Sequence, residues 1–292
     1  MKKKSLLPRA LIIILIVYCL YRLITFLIVL TDKSRLNIIF YGNRPVYYSL
    51  GIGNISYVVE YSVTDKILVP GGYGYYRVGS LGKLVSLEKK PEIFKKTFSA
   101  FTGSFIDYFF YPKDVEIYHK NIGIDNTLPS FSDFFTSRSN ANLIERIYLA
   151  IIFLQQDRNQ LKLIDNDYTE KRNHENYYNN NLFISDNQGS FYVNSLRNEK
   201  LTVQIIYHDS YDAAALVGKI IEGQGIRVVD ITKKSGQKTN SNCMISESYL
   251  KDFSKTSKTL ALFFKCQMKK SKTEQSDIIF TLADIEKNWL IQ

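Results

Sequence analysis

The sequence predicts an α/β protein with an N-terminal transmembrane helix, an α/β/α sandwich domain and a small βαββαβ domain. Three observations lead to this prediction. An apolar run of 21 residues, Ala10 to Leu30, lies near the N-terminus. Strand-like runs alternate with helical patterns from Leu36, and after a polar, asparagine-rich segment the same alternation begins again at Leu201. The predicted boundaries are therefore 1–31, 36–164, 165–199 for a linker and hairpin, and 200–292.

The apolar run is expected to cross a membrane. It carries one charge, Arg22, and its 21 residues match a hydrocarbon core of about 30 Å. Lys2, Lys3, Lys4 and Arg9 precede it, so the positive-inside rule places the N-terminus in the cytoplasm and the rest of the chain outside, with the cytoplasmic membrane as a partner. A cleaved signal peptide is the alternative.

The charge of the chain argues against nucleic acid as a partner. The formal charge is +10, but five of the basic residues precede the first acidic residue, Asp32. The remainder has 33 basic and 28 acidic residues and no long cationic run, which makes a duplex backbone an improbable ligand.

The first outer domain is predicted from apolar runs and helical spacing. The predicted strands are Leu36–Tyr41, Ile55–Tyr61, Lys66–Val69 and Phe105–Tyr111, and the predicted helices are Pro91–Thr102 and about Asn142–Leu161. The second helix is expected to turn one apolar side inward, made of Leu143, Ile147, Ala150, Ile151 and Leu154.

A glycine- and tyrosine-rich loop follows the strand that ends at Val69. Its glycines, from Gly71 to Gly82, can adopt positive φ and let another group approach the backbone. Gly71, Gly72, Tyr73 and Gly74 are therefore candidates for lining a ligand site. The alternative is a series of turns packed by tyrosines.

The second outer domain follows a linker at Asp165–Asn181 and a hairpin at Leu182–Asn194. His208 and Asp209 are adjacent on a predicted strand end, so their side chains point to opposite faces and do not form a catalytic pair. Cys243 and Cys266 can form a disulfide outside the cytoplasm, and two buried free thiols are the equal alternative. The cysteines have no CxxC spacing, which argues against zinc.

The order of elements resembles a known family. An apolar helix, the run LNIIFYG, a hairpin whose second strand ends in VPGG, a helix, an aromatic strand and a long helix resemble the extracytoplasmic catalytic domain of the LytR-CpsA-Psr family. The region from Leu201 to Ile291 resembles the accessory C-terminal domain found in LytR-type proteins. The resemblance implies attachment of polyprenyl-pyrophosphate-linked glycopolymers to the cell wall.

The motifs that carry catalysis in that family are altered here. Where the family has Arg-Ser-Asp and Pro-Arg-Asp triplets around Mg²⁺ and pyrophosphate, this chain has Asn54-Ile55-Ser56 and Pro70-Gly71-Gly72. Without those carboxylates Mg²⁺ lacks obvious ligands, so no cofactor is expected unless catalysis survives on other residues. The basic side chains that could still meet a phosphate are Arg44, Arg77, Lys83, Arg138 and Arg146; a solvated surface arginine is the alternative at Arg44, Arg138 and Arg146.

These observations favour a catalytically degenerate binding or scaffolding protein of the bacterial cell envelope, with a glycan or cell-wall polymer as partner. One alternative is an active glycopolymer phosphotransferase that uses the five basic residues. Another is a structural envelope protein that acts through protein contacts alone.

Overall fold

The computed structural model describes residues 34–113, 128–156, 160–234, 242–248 and 252–291, together with the single positions 14, 17 and 18. Residues Arg35–Gln292 form one compact unit, and Met1–Ser34 form a separate one. In the described part of the chain, no helix has the length and apolar character needed to cross a membrane. This finding corrects the expected transmembrane helix at Ala10–Leu30, of which most residues lie outside the described ones.

Short strands and helices alternate along the compact unit. The strands are β1 Arg35–Phe40, β2 Val46–Gly51, β3 Ser56–Glu60, β4 Lys66–Val69, β5 Gly74–Arg77, β6 Tyr108–Tyr111, β7 Arg138–Ser139, β8 Leu161–Leu163, β9 Thr169–Arg172, β10 Glu175–Tyr178, β11 Thr202–Tyr207, β12 Arg227–Lys233, β13 Met244–Glu247, β14 Gln267–Lys270 and β15 Ile278–Thr281. The helices are α1 Leu81–Glu88, α2 Glu92–Thr102, α3 Asp133–Thr136, α4 Leu143–Gln155, α5 Asn180–Asp186, α6 Asn194–Glu199, α7 Tyr211–Glu222 and α8 Lys255–Phe264. A 3-10 helix at Ala283–Trp289 follows β15.

The first sheet has the order β7-β6-β1-β2-β3-β8 among the described strands. β1 is parallel to β6, β3 is parallel to β8, and β2 is antiparallel to both β1 and β3. Four strands, β1, β3, β6 and β8, therefore run in the same direction. Their carboxyl ends share one edge of the sheet, which is the edge where open α/β sheets bind ligands.

The second sheet, β5-β4-β10-β9, includes part of the predicted linker. β9 and β10 form a hairpin whose two turn residues, Asn173 and His174, both have positive φ, as a tight hairpin turn requires. Pairing with β4 buries Tyr178 in the core. The polar composition of the segment concealed this strand pair, because Tyr178 is the one buried residue of β9 and β10.

The third sheet has the order β12-β11-β15-β13-β14. The expected βαββαβ unit thus has an additional strand, β14, which reads Gln-Met-Lys-Lys and lacks an apolar pattern because it lies at an exposed sheet edge. The hairpin predicted at Leu182–Asn194 is instead the end of α5 and the start of α6.

The two predicted outer domains pack against each other and share a buried core. Ala100 on α2 and Phe105 belong to the same buried cluster as the third sheet. Phe105 stacks on Phe263 of α8 with ring centroids 4.1 Å apart. At the C-terminal ends of α2 and α7, Gly103 and Gly223 come so close that a Cβ on Gly223 would lie 1.6 Å from the Gly103 carbonyl oxygen.

The long helix α4 is shorter than expected, and its inner face differs from the predicted one. Leu149, Ala150 and Phe153 are buried against the first sheet. Leu143, Ile147, Ile151 and Leu154 are exposed, so the predicted inward side is wrong except at Ala150. The sequence is apolar on both faces of this helix, and spacing alone could not decide which face meets the sheet.

Candidate functional site

The carboxyl edge of the first sheet carries two neighbouring cavities. The first, of about 560 Å³, lies beyond the ends of β1 and β6 and includes Arg44 and Pro112 in its lining. The second, of about 440 Å³, lies beyond the ends of β3 and β8 and includes Asp65 and Asp165. Glu60, the last residue of β3, lines both cavities. We refer to the two cavities together as the edge cleft.

The first cavity has aromatic walls. Phe40 stacks on Phe110 with centroids 4.6 Å apart and meets Tyr48 edge-to-face at 5.9 Å. Because strand residues two apart share a face, Phe40 belongs to the face that packs on α4, and its position at the end of β1 brings it to the cavity. The cavity therefore offers rings as well as polar groups.

Polar side chains also line the first cavity. Arg44 Nη1 lies 3.3 Å from Glu60 Oε2, and both side chains are partly exposed. Asp133 Oδ2 accepts hydrogen bonds at 2.7 Å from the backbone nitrogen and the hydroxyl of Ser130. Burial, together with the carboxylates of Glu60 and Asp133, raises the pKa of Tyr48 above the ordinary value of a tyrosine.

The second cavity is acidic. Asp65 is 7% exposed, and Asp165 and Asp167 are exposed beside it. Burial raises the pKa of the Asp65 carboxyl, with a smaller contribution from Asp167, while hydrogen bonds from Asn176 and Ser62 oppose the shift. The Asn176 bond is long, at 3.4 Å.

The part of the edge cleft lining that the structure describes is negatively charged. It contains one cation, Arg44, and the five carboxylates of Glu60, Asp65, Asp133, Asp165 and Asp167. No group of three or more His, Cys, Asp or Glu side chains among the described residues is arranged to hold a metal ion. The geometry therefore suits ligands that are neutral or positively charged better than a pyrophosphate.

The structure gives the predicted basic residues different surroundings. Arg44 lines the edge cleft, as described above. Arg146 donates hydrogen bonds to the carbonyls of Phe134, Ser137 and Ala141 at 2.7, 2.8 and 3.0 Å. These bonds fasten the segment between α3 and α4. Arg138 is exposed at the start of β7.

Arg77 and Lys83 are not part of the edge cleft lining. Arg77 pairs with Glu175 at 3.2 Å on the second sheet, where Glu175 also pairs with Lys66. Lys83 is exposed on α1. The cleft thus takes one of the five predicted basic side chains, Arg44.

The glycine loop contacts the end of the chain. The backbone nitrogens of Gly71 and Gly72 donate to the Leu290 carbonyl at 2.8 and 3.2 Å. The Tyr73 hydroxyl donates to Glu88 at 3.0 Å, and Gly74 begins β5. The loop is therefore a hairpin turn between β4 and β5 that holds the C-terminal segment, and its exposed backbone donors are partly used for that contact.

Two helix N-termini in the C-terminal part are occupied by carboxylates. Glu286 accepts hydrogen bonds from the backbone nitrogens of His208, Asp209 and Ser210, at the start of α7. Glu199 accepts bonds from Lys255 and Thr256 at the start of α8. These helix ends are already neutralised, so they do not offer a phosphate site.

The two outer cysteines are paired. Cys243 precedes β13 and Cys266 follows α8, and the structure joins them in a disulfide within the core of the third sheet. The bond covalently links the chain just before β13 to the chain just after α8, across a sequence separation of 23 residues.

Sequence reasoning did not find the carboxylates of the edge cleft. Glu60 ends β3, Asp165 and Asp167 follow β8, and Asp65 lies in the loop between β3 and β4. Their position would identify them once β3 and β8 are known to be parallel neighbours. That pairing joins residues about a hundred positions apart and has no local signal.

Comparisons with known proteins give little further information. No protein-family model matches the chain, and a search of curated proteins finds no match. A solved structure, the transcriptional regulator yvhJ from Bacillus subtilis, is similar over 50% of this chain and 89% of its own length, at 12% identity and a TM-score of 0.34. A likeness at that TM-score carries no argument about fold or function.

Proposed function

We propose that this chain is a non-catalytic binding protein of the bacterial cell envelope, a divergent relative of the LytR-CpsA-Psr proteins. Its ligand is a hydroxyl-rich glycan, neutral or bearing amino groups, held in the edge cleft. The observation that carries the proposal is the lining of that cleft, in which the residues that the structure describes combine aromatic rings with five carboxylates and one arginine.

The charge of the cleft selects against a pyrophosphate ligand. Two like charges 4 Å apart repel by about 4 kcal/mol at the effective dielectric of a protein surface. Among the described residues of the lining, Arg44 is the one cation, and it is already paired with Glu60. A phosphotransferase needs several cations or metal ions around the transferred group, and this charge pattern therefore argues for binding without transfer.

The aromatic walls and the size of the cleft favour a sugar chain. The C–H face of a pyranose ring packs on flat rings such as Phe40. Its hydroxyls need carboxylate and hydroxyl partners, which Glu60, Asp133 and Ser130 provide. Each cavity falls within the range of about 300–1,000 Å³ usual for ligand pockets. Two adjoining cavities suit a ligand of more than one sugar unit.

The disulfide supports a location outside the cytoplasm. Disulfides persist in oxidising compartments and are rare in reducing ones. Cys243 is fully buried, so its pairing with Cys266 belongs to the folded core and not to a surface site for transient redox chemistry.

Calorimetric titration of the purified full-length chain tests the proposal. The probes are oligomers of N-acetylglucosamine, oligomers of glucosamine, and inorganic pyrophosphate with and without Mg²⁺. We expect both sugars to bind, the amine-bearing one more tightly, and pyrophosphate not to bind.

A pair of matched variants ties that binding to the cleft. Glu60→Gln removes one carboxylate. It should weaken glucosamine binding about tenfold, because one charge-assisted hydrogen bond to the ligand is lost. Glu170→Gln removes a carboxylate on β9, outside the cleft lining, and should leave binding unchanged. Tight, Mg²⁺-dependent pyrophosphate binding, or equal effects of the two variants, would refute the proposal.

A further inference from the structure

Helix α4 is apolar on two opposite sides. Its inner side, Leu149, Ala150 and Phe153, is buried against the first sheet. Its outer side carries Ile144, Ile147, Ile151 and Leu154, which are between 42% and 69% exposed. A helix that is hydrophobic all round is normally buried all round, which makes the exposed outer side a candidate interaction surface.

The outer residues have the spacing of a coiled-coil seam. Ile144, Ile147, Ile151 and Leu154 are separated by three, four and three positions. This is the alternation of a and d positions in a heptad repeat, with isoleucine at both a positions. We refer to these four side chains as the outer seam; their spacing matches a second helix with the same repeat.

We propose that the outer seam is a homodimer interface, in which α4 packs antiparallel against α4 of a second copy of this chain. A twofold axis brings the same patch of both copies together, so each seam supplies its own complement. Antiparallel packing also sets the N-terminal end of each helix beside the C-terminal end of the other, where the helix dipoles attract. In this register Ile147 faces the partner subunit's Ile151, and Ile144 faces the partner subunit's Leu154.

The size of the patch places the dimer among weak complexes. Leu143, 64% exposed, continues the seam at its N-terminal end. Together these five side chains expose on the order of 500 Å² per copy, the size of the largest patch on a typical monomer. About 1,000 Å² buried in total is at the low end for specific complexes. We therefore expect a weak dimer that dissociates on dilution.

The surroundings of the seam favour a second copy over a lipid surface. Helices that lie on membranes carry lysine and arginine along their polar side. The polar residues of α4 are Glu145, Arg146 and Gln155, and the guanidinium of Arg146 is held by three backbone carbonyls.

Sedimentation equilibrium of the full-length chain over a range of concentrations tests the proposal. Leu154→Glu places a carboxylate in the seam and should weaken the dimer at least 100-fold. Leu87→Glu is the matched control, because Leu87 is an equally exposed leucine, at 71%, on α1. It should leave the dimer intact, and circular dichroism of both variants checks that they fold.

Cysteine cross-linking tests the register in a Cys19→Ser background. Separately tagged Ile147→Cys and Ile151→Cys chains, mixed and oxidised, should form the mixed disulfide in preference to either self-pair. A parallel pairing would favour the self-pairs and would overturn the antiparallel arrangement. A monomer at all concentrations, or a dimer equally strong in Leu154→Glu, would overturn the interface. If the chain is monomeric and floats with phospholipid vesicles, and if Leu154→Glu abolishes that flotation, the outer seam binds lipid and the dimer interface is overturned.

Discussion

The contact between Gly103 and Gly223 offers a sharp test of how the two halves of the compact unit join. Gly223 has φ −64° and ψ −11°, which alanine adopts without strain. The Cβ of Gly223→Ala, however, would lie 1.6 Å from the carbonyl oxygen and 2.8 Å from the carbonyl carbon of Gly103. The obstacle is backbone, so no side-chain rotation can relieve it.

The size of the effect follows from that geometry. An ordinary carbon contact begins near 3.4 Å, so the ends of α2 and α7 must separate by roughly 1.5–2 Å. Overpacking of this kind costs about 1–3 kcal/mol, and more when backbone must move. Alanine also lowers the conformational entropy of the unfolded chain, which offsets about 0.4–1 kcal/mol of this cost. We expect a net loss of about 2 kcal/mol, which is about 4–8 °C in Tm for a domain of this size.

Urea and thermal denaturation, followed by circular dichroism, measure this loss. Gly42→Ala is the matched control, because nothing lies within 4 Å of a Cβ at that position. It should be neutral or slightly stabilising. If Gly223→Ala behaves like Gly42→Ala, within about 0.5 kcal/mol, the two helix ends do not meet and the reasoning about the joint is refuted.

Three further predictions test other parts of the structure. Arg146→Ala should lower the unfolding free energy by about 3 kcal/mol, since three backbone carbonyls lose a charged donor. The exposed Arg138→Ala should change it by less than about 0.5 kcal/mol, and urea denaturation measures both. Reducing the Cys243–Cys266 disulfide should lower the unfolding free energy by about 3 kcal/mol, because the bond closes a loop over a separation of 23 residues and so restricts the unfolded chain. Denaturation with and without dithiothreitol measures this difference. Asp65→Asn should raise stability at pH 7, because burial raises the pKa of Asp65 above its ordinary 3.8 and so makes the charged form unfavourable in the folded state. The advantage of Asp65→Asn should shrink as the pH falls towards 3.8, where the native carboxyl is protonated, and thermal denaturation over a pH series follows it.

Each of these predictions has a result that contradicts it. If Arg146→Ala loses ligand binding while its stability is unchanged, Arg146 contacts the ligand and does not have a structural role. Equal stability of the oxidised and reduced chain would show that the disulfide does not restrain the unfolded state. A less stable Asp65→Asn at pH 7 would show that the hydrogen bonds from Asn176 and Ser62 outweigh the burial of the charge.

Local patterns in the sequence located many of the elements. The strands at β1, β3, β4 and β6 and the helix at α2 were predicted from apolar runs, and α2 begins after Pro91 and ends at Gly103 as its terminal residues indicate. The strand β2 was not predicted, although it lies in the middle of the first sheet. It reads Val-Tyr-Tyr-Ser-Leu-Gly, and the neighbouring Pro45 and the glycines on either side obscured it.

The candidate site was predicted only in part, because its parts come from distant segments. Arg44 was identified as a candidate, and the structure places it in the edge cleft. Arg77 and Arg146 were identified on the same grounds, and their hydrogen-bond partners, Glu175 and three carbonyls, belong to segments whose proximity no local pattern reveals. The number of charges in a sequence does not show which of them are already paired.

The sequence by itself determined the α/β class, the periodicity of the secondary structure and the chemistry available at each position, because these depend on residues a few positions apart. The tertiary structure decided which face of α4 is buried, which carboxylates meet at one sheet edge, and that the glycine loop holds the C-terminal segment. These outcomes depend on contacts between residues tens to hundreds of positions apart. Such contacts are selected by the packing of the whole unit and leave no periodic trace in the chain.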